Sequence, residues 1–365
     1  MTTSRFRVLL AADRRVREGY LPPEQIARLE RFADWEWFEC TGGGIYDANP
    51  DPAVAAELSA QLAGVNGLIV CHGAPLVDGA IMDAAADLQI IGELEGDRFA
   101  SRVDLEAAWE RNIRTVDTTN ASSYPVAEWA LGLVLVSLRN AGAHFRRMIA
   151  GETSVDRAIL QASGGLLTGK RVGLIGGGHM GRRLIKLLRP FDPEIWVYDP
   201  YLPQELAEAL DFVLTSLDNL LSNCGVIVCL APLTPRTRGM LGAREIGLIA
   251  PGSVLVNVSR GPVIDSDALV ARLKQGDIVA GLDVFDPEPV PPESEIIGLP
   301  NVFLSPHIGY YTGTDYRHFF TLMVDELERF VSGHATYFDL TPRALANRRG
   351  WQPLQSGATA PNKAG

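Results

Sequence analysis

Short apolar runs alternate with amphipathic stretches along the first third of the chain. Residues 5–11 (RFRVLLA), 65–71 (VNGLIVC), 88–92 and 113–117 are rich in Val, Ile and Leu and read as strands. Between them, residues 23–33 and 52–62 carry apolar positions at helical spacing. Such alternation predicts a parallel sheet with crossover helices. A long helix is expected from Pro125, because proline tolerates the first helical turn and Glu128 complements the positive end of the helix dipole. Its segment VAEWALGLVLVSL is apolar nearly all the way round, so it must be covered either by the core or by a second subunit across a two-fold axis. After a loop at 151–168 the alternation resumes, with strands expected at 171–175, 195–198, 226–230, 254–258, 278–282 and 302–305. The last clear helix is expected at 314–331. From residue 341 the chain turns rich in Ala, Arg, Gly, Pro and Asn, the composition of a loosely ordered tail.

Length and charge narrow this picture. At 365 residues the chain is too long for one ordinary domain, and two are expected. A net charge of −11 repels a phosphate backbone and argues against nucleic-acid binding. The apolar run at residues 8–12 is too short for a signal-peptide core. The run at 126–138 is interrupted by Glu128 and Ser137 and too short to span a bilayer, so no membrane association is expected. Cys40, Cys71, Cys224 and Cys229 form no CxxC or Cys/His cluster. They read as reduced core thiols of a cytoplasmic protein and not as disulfides or metal ligands.

The strongest local signal is KRVGLIGGGHMGRRLIKLL. A short strand runs into Gly176-Gly177-Gly178-His179-Met180-Gly181, a G-x-G-x-x-G turn, and a helix follows with Met180, Leu184, Leu187 and Leu188 on one face. Gly176 permits a tight turn, Gly178 lets the backbone approach a pyrophosphate, and Gly181 lets helix and strand pack closely. The helix N-terminus, starting at His179 and Met180, supplies N–H donors and partial positive charge. The next strand ends in Val197-Tyr198-Asp199, and Asp199 lies 18 residues after Gly181, near the spacing of a ribose-binding carboxylate. Asp199 would repel a 2′-phosphate and no Arg follows it directly, so NAD is expected over NADP. Asp199 also reads, more simply, as a turn residue before Pro200.

Three polar motifs follow apolar strands downstream: Asn257-Val258-Ser259-Arg260-Gly261, then GLDVFDPEP with Asp283 and Glu288, then SPHIG with His307. In a parallel sheet the carboxyl ends of the strands share one edge, where α/β folds bind ligands. Together with GLIGGGHMG, VNVSRGPVID and APLTPRTRGML, in this order, these motifs resemble the D-isomer-specific 2-hydroxyacid dehydrogenases. The resemblance covers most of residues 125–309 and the first third only loosely. It implies two doubly wound α/β domains, a Rossmann coenzyme domain at 121–309 inserted into a flavodoxin-like substrate domain at 1–120 and 310–340. It further implies a cleft between them with hinges near 120 and 309, and a tail at 341–365. The implied catalytic set is Arg260, Glu288 and His307. Arg260 would anchor a 2-oxo acid's carboxylate and polarise its carbonyl. His307 would deliver the proton to the forming alkoxide, and Glu288 would orient the ring and favour its charged form. Asp283 would meet the nicotinamide carboxamide, and Pro232 would border the cofactor. The implied partners are NAD, a small 2-oxo or 2-hydroxy acid and a second copy of the chain.

The stretch from Gly92 to Asp104 departs from the family's R-x-G-x-G-x-D-N-I-D loop, whose backbone holds the substrate carboxylate. It is about two residues longer and keeps only Gly96 near the expected glycines, which leaves Leu94, Glu95 and Gly96 as substrate contacts. Glu93 and Glu95 bring negative charge where an anionic substrate is expected. Thr119-Asn120-Ala121-Ser122 replaces the usual Pro-Gly-x-Asn. His72, after a strand end, reads either as a substrate contact or as a structural histidine. A NAD-binding regulatory scaffold of the corepressor type and a phosphite dehydrogenase share the fold. A formate dehydrogenase would carry Gln in place of Glu288.

Overall fold

The computed structural model describes residues 5–43, 47–95, 102–161, 164–313 and 316–349. The chain divides into two compact units, one of residues 1–122 and 312–365, the other of residues 123–311.

The first unit holds a five-stranded sheet of β1 (Phe6–Ala12), β2 (Ala33–Glu39), β3 (Gly67–Val70), β4 (Ile90–Glu93) and β5 (Arg114–Asp117), in the order β2-β1-β3-β4-β5. Every pairing is parallel. Apolar clusters cover both faces, one around Leu9, Leu68 and Ile91, the other around Val8, Leu10 and Ile69. This is the expected flavodoxin-like order. Its crossover helices are started by aspartates: Asp13, Asp51, Asp78 and Asp104 each accept a backbone N–H of the first turn. Each such cap is worth about 1 kcal/mol. The chain then returns, and the Arg317–Val331 helix buries Phe319, Phe320 and Met323 against β1 residues.

The second unit holds seven parallel strands: β6 (Arg171–Ile175), β7 (Glu194–Tyr198), β8 (Val213–Leu214), β9 (Val226–Cys229), β10 (Val254–Asn257), β11 (Val279–Leu282) and β12 (Val302–Leu304). Their order is β12-β11-β10-β9-β6-β7-β8. Strand order reverses between β6 and β9, so the turn after β6 stands at the switch point where such sheets bind ligands. Clusters around Val172, Val228 and Val256 on one face and Ile175, Ile227 and Leu255 on the other complete a doubly wound layer structure.

Several elements differ from the sequence pattern. The helix expected to residue 33 ends at Leu29, and Ala33–Glu39 forms the unanticipated strand β2. It lies at the sheet edge, where Asp34 and Glu36 face water and the run never becomes continuously apolar. The Arg14–Tyr20 helix, the two-residue strand β8 and a short helix at Arg157–Gln161 were equally absent from the pattern. Part of the expected loose tail is a helix, Pro342–Arg349: Thr341 Oγ1 accepts the Ala344 N–H, and Leu345 packs into the core. The apolar helix spans Ser123–Leu138 and lies against its own unit, burying Val126, Ala130, Leu133, Val134 and Leu138. By length and composition residues Thr119–Leu138 could cross a membrane, but half of that stretch is buried inside the protein. All four cysteines are free and buried.

Candidate active site

The glycine turn follows β6 directly. Gly176 has φ +105°, and its N–H bonds to Tyr198 O. A Cβ on Gly181 would stand 2.5 Å from Gly176 O, so only glycine lets the helix start this close to the strand, whereas a Cβ on Gly178 would meet nothing. Space is thus left open over Gly178, at the N-terminus of the ten-residue helix His179–Leu188, the end that carries a helix's partial positive charge. Met180 is buried in the core, so only its backbone faces the turn. Asp199 stands at the end of β7, its Oδ2 accepting Gly177 N–H at 2.9 Å and its Oδ1 accepting Tyr201 N–H at 3.0 Å. The simpler expectation, a turn residue, is what these bonds show: the carboxylate holds the glycine turn from the end of β7. Pro232 is exposed just beyond β9, after Leu230 and Ala231, whose backbone would stand 3.1 Å from a Cβ on Gly176. These features fit a dinucleotide: an open approach, helix N–H donors and an acid at the second strand.

Arg260, Glu288 and His307 all follow carboxyl ends of neighbouring strands, β10, β11 and β12. Arg260 donates to Ser259 O at 2.7 Å and, among the described residues, has no carboxylate partner. Its neighbour Gly261 lies under the β11 loop so closely that a Cβ would come within 1.7 Å of Phe285 O. That contact brings the Arg260 segment against the loop carrying Glu288. His307 Nδ1 lies 2.5 Å from Glu288 Oε1, while Glu288 Oε2 accepts Phe285 N–H at 3.3 Å. With Nδ1 engaged, Nε2 is the nitrogen left for proton transfer. His307 itself has φ +54°, a left-handed conformation that costs about 1–3 kcal/mol and persists where neighbours over-determine it. Below the same loop, a cavity of about 60 Å³ is lined by Ile264, Leu269, Leu282, Phe285 and Val290.

Asp283 is buried at the end of β11, and its oxygens accept hydrogen bonds from Trp129 Nε1 (3.1 Å), Ser305 Oγ (2.6 Å), Ile308 N (3.0 Å) and Gly309 N (2.9 Å). The chain's own turn uses it. Trp129 and Ser305 went unnoticed in the sequence, because an indole in an apolar helix reads as bulk and a serine before proline as a loop residue.

In the first unit the strand-end residues form a buried polar cluster. Glu93 and Arg102 are wholly buried and paired at 2.5 Å, and Arg102 also donates to Glu95 O at 3.1 Å. Burial first, with Asp117 adding, pushes the Glu93 carboxyl up to about 7, while Arg102 pulls it down. Tyr20 OH donates to Glu95 Oε2, and His72 Nε2 lies 3.4 Å from the same oxygen. Burial, then Glu95, drives Tyr20 far above the ordinary phenol range. The negative charge anticipated at Glu93 and Glu95 is therefore held internally. Leu94 is wholly buried and its N–H bonds to Val70 O, so neither its side chain nor its amide is left for a substrate. Gly96 lies outside the described residues.

Residues 131–309 match the model of the NAD binding domain of D-isomer specific 2-hydroxyacid dehydrogenases. The chain is 33% identical over 279 residues to a D-3-phosphoglycerate dehydrogenase of Methanocaldococcus jannaschii, a match covering 76% of this chain and 52% of that protein. It thus spans about half the length of that relative. It is 34% identical over 246 residues to a glyoxylate reductase of Thermococcus gammatolerans, covering 65% of this chain and 71% of that one. The apo crystal structure of Rhodotorula graminis D-mandelate dehydrogenase superimposes with a TM-score of 0.76 at 22% identity, over 92% of this chain and 98% of the other; at that identity the likeness is one of fold.

Proposed function

Because this chain belongs to the D-isomer specific 2-hydroxyacid dehydrogenase family and carries its NAD-binding domain, we propose that it reduces a 2-oxo acid to the D-2-hydroxy acid with NADH, and runs the reverse with NAD. The observation that supports this most is the His307–Glu288 pair at 2.5 Å. Arg260 binds the substrate carboxylate and polarises the carbonyl through its fork of donors. His307 gives a proton from Nε2 to the forming alkoxide and takes it back in oxidation. Glu288 holds the ring in one orientation and favours the charged form. Bound NADH supplies the hydride. The glycine turn and the Asp199 carboxylate favour NAD over NADP.

A homodimer in the cytoplasm completes the proposal. Its support is a run of exposed apolar side chains beyond the buried helix, namely Phe145, Met148 and Ile149, with Val155, Leu160 and Leu166 following. The deciding experiment offers a panel of 2-oxo acids (glyoxylate, pyruvate, 3-phosphohydroxypyruvate and longer acids) with NADH and follows loss of reduced cofactor. Turnover of at least one is expected. NADH binding without turnover of any acid would replace the enzyme by a NAD-binding scaffold.

A further inference from the structure

We propose that Trp129 is a positioning residue for His307, acting through the buried carboxylate of Asp283, an inference that rests on His307 being the proton donor of the proposed function. The strand-end turn Ser305-Pro306-His307-Ile308-Gly309 has little regular structure to hold it, yet His307 adopts a left-handed backbone conformation within it. What fixes the turn is Asp283. Its Oδ1 accepts Ser305 Oγ and Ile308 N–H, and its Oδ2 accepts Gly309 N–H, so bonds flank His307 on both sides. That carboxylate is 2% exposed. The Trp129 indole ties it to a helix as well: Nε1 lies 3.1 Å from Asp283 Oδ1 and 3.2 Å from Ser305 Oγ.

The indole is itself held by its helix. Leu133 and Ser137 follow Trp129 at spacings of four and eight, on the same helix face. That face lies on β11 with no room to spare: a Cβ on Gly281 would stand 2.6 Å from Ser137 Oγ and 3.3 Å from Leu133 Cβ. Gly281 precedes Asp283 by two residues in the same strand end. At the other end, a Cβ on Gly309 would stand 2.9 Å from both Asp283 Oδ2 and Trp129 Cδ1, so the turn is moulded onto the carboxylate and the indole together. A rigid helix therefore reaches the imidazole through one indole N–H and one carboxylate. Arg260, on the loop after β10, is not part of this chain of contacts.

Trp129→Phe keeps a smaller aromatic ring and removes the N–H. Turnover of a good 2-oxo acid is expected to fall about 10–100-fold, the usual effect of displacing a reacting group by a fraction of an ångström to one ångström. KM for the acid and Kd for NADH, by calorimetry, should stay within about twofold. Ser305→Ala should act on the same unit, so the double variant should lose little more than the worse single variant. Undiminished turnover in Trp129→Phe, or a loss matched by equal losses of NADH affinity and thermal stability, overturns the inference. His307→Ala is measured alongside. If it too retains full turnover, the proposed function has failed; if it is inactive while Trp129→Phe is not, only the positioning role has failed.

Discussion

His307 Nδ1 and Glu288 Oε1 lie 2.5 Å apart on loops that follow adjacent strands. In the proposed reaction the ring gives a proton during reduction and takes one back during oxidation. Glu288→Gln removes the carboxylate that holds the ring and should lower turnover in both directions. His307→Ala should lower turnover about 10²–10⁴-fold with NADH affinity retained. Turnover and NADH affinity of the native protein and both variants check this, and full activity of His307→Ala would sink the assignment.

Asp199 ties two properties together, since it holds the Gly177 amide and stands at the end of β7. The native protein should use NADH far better than NADPH. Asp199→Ala should narrow that ratio and also weaken NADH, because the turn loses a bond. Equal efficiency of the native protein with NADPH would refute the cofactor assignment.

The Glu93–Arg102 pair gives stability a pH dependence whose sign is fixed. The Glu93 carboxyl sits at about 7 against an ordinary 4.5, so the folded state holds its proton more tightly. Between those values the folded state binds more protons than the unfolded one, and this group's contribution to stability falls as pH rises. Glu93→Gln should remove that slope in melting temperature against pH, whatever it does to the absolute level. Arg102→Leu leaves the acid buried without its cation and should cost about 3–5 kcal/mol at alkaline pH, and less in acid, where Glu93 takes up a proton. A melting curve for Arg102→Leu with no pH dependence beyond the native one would count against this picture.

Gly261 predicts a steric failure. A Cβ there would overlap Phe285 O and Asp286 N. Gly261→Ala should displace the Glu288 loop, with a loss of turnover of at least about 10²-fold, while the sheet core stays folded by circular dichroism. An active Gly261→Ala would mean that this close approach is relieved without consequence.

The exposed apolar residues of the Ala141–Ile149 helix bear on assembly. Phe145→Glu with Met148→Lys should convert a dimer to a monomer in light scattering at micromolar concentration. A native protein that is already monomeric at that concentration would remove the dimer from the proposal.

The sequence and the structure agree best where chemistry forces local pattern. In the second unit β9, β10 and β11 were readable because each is a continuous buried run, and the glycine turn because each glycine answers a separate geometric need. Edge strand β2 was not, since Asp34 and Glu36 break its apolar pattern and its neighbours lie in the sheet and not in the sequence. Buried polar contacts were the hardest to read. Arg102 meets Glu93 only because the chain folds back over nine positions, and nothing in either residue type announces complete burial. Asp283 was found without its own-chain partners, because Trp129 and Gly309 are 154 and 26 positions away.

The return of the chain to its first sheet has a consequence for how the protein is made. Val8 and Leu10 are synthesised well before Phe319, Phe320 and Met323, which cover them. The intervening residues 123–311 emerge while one face of the earlier sheet still lacks its helix. That sheet is thus begun before the second unit and completed after it, and a chain stopped short of residue 317 would expose its apolar face to aggregation or to a chaperone.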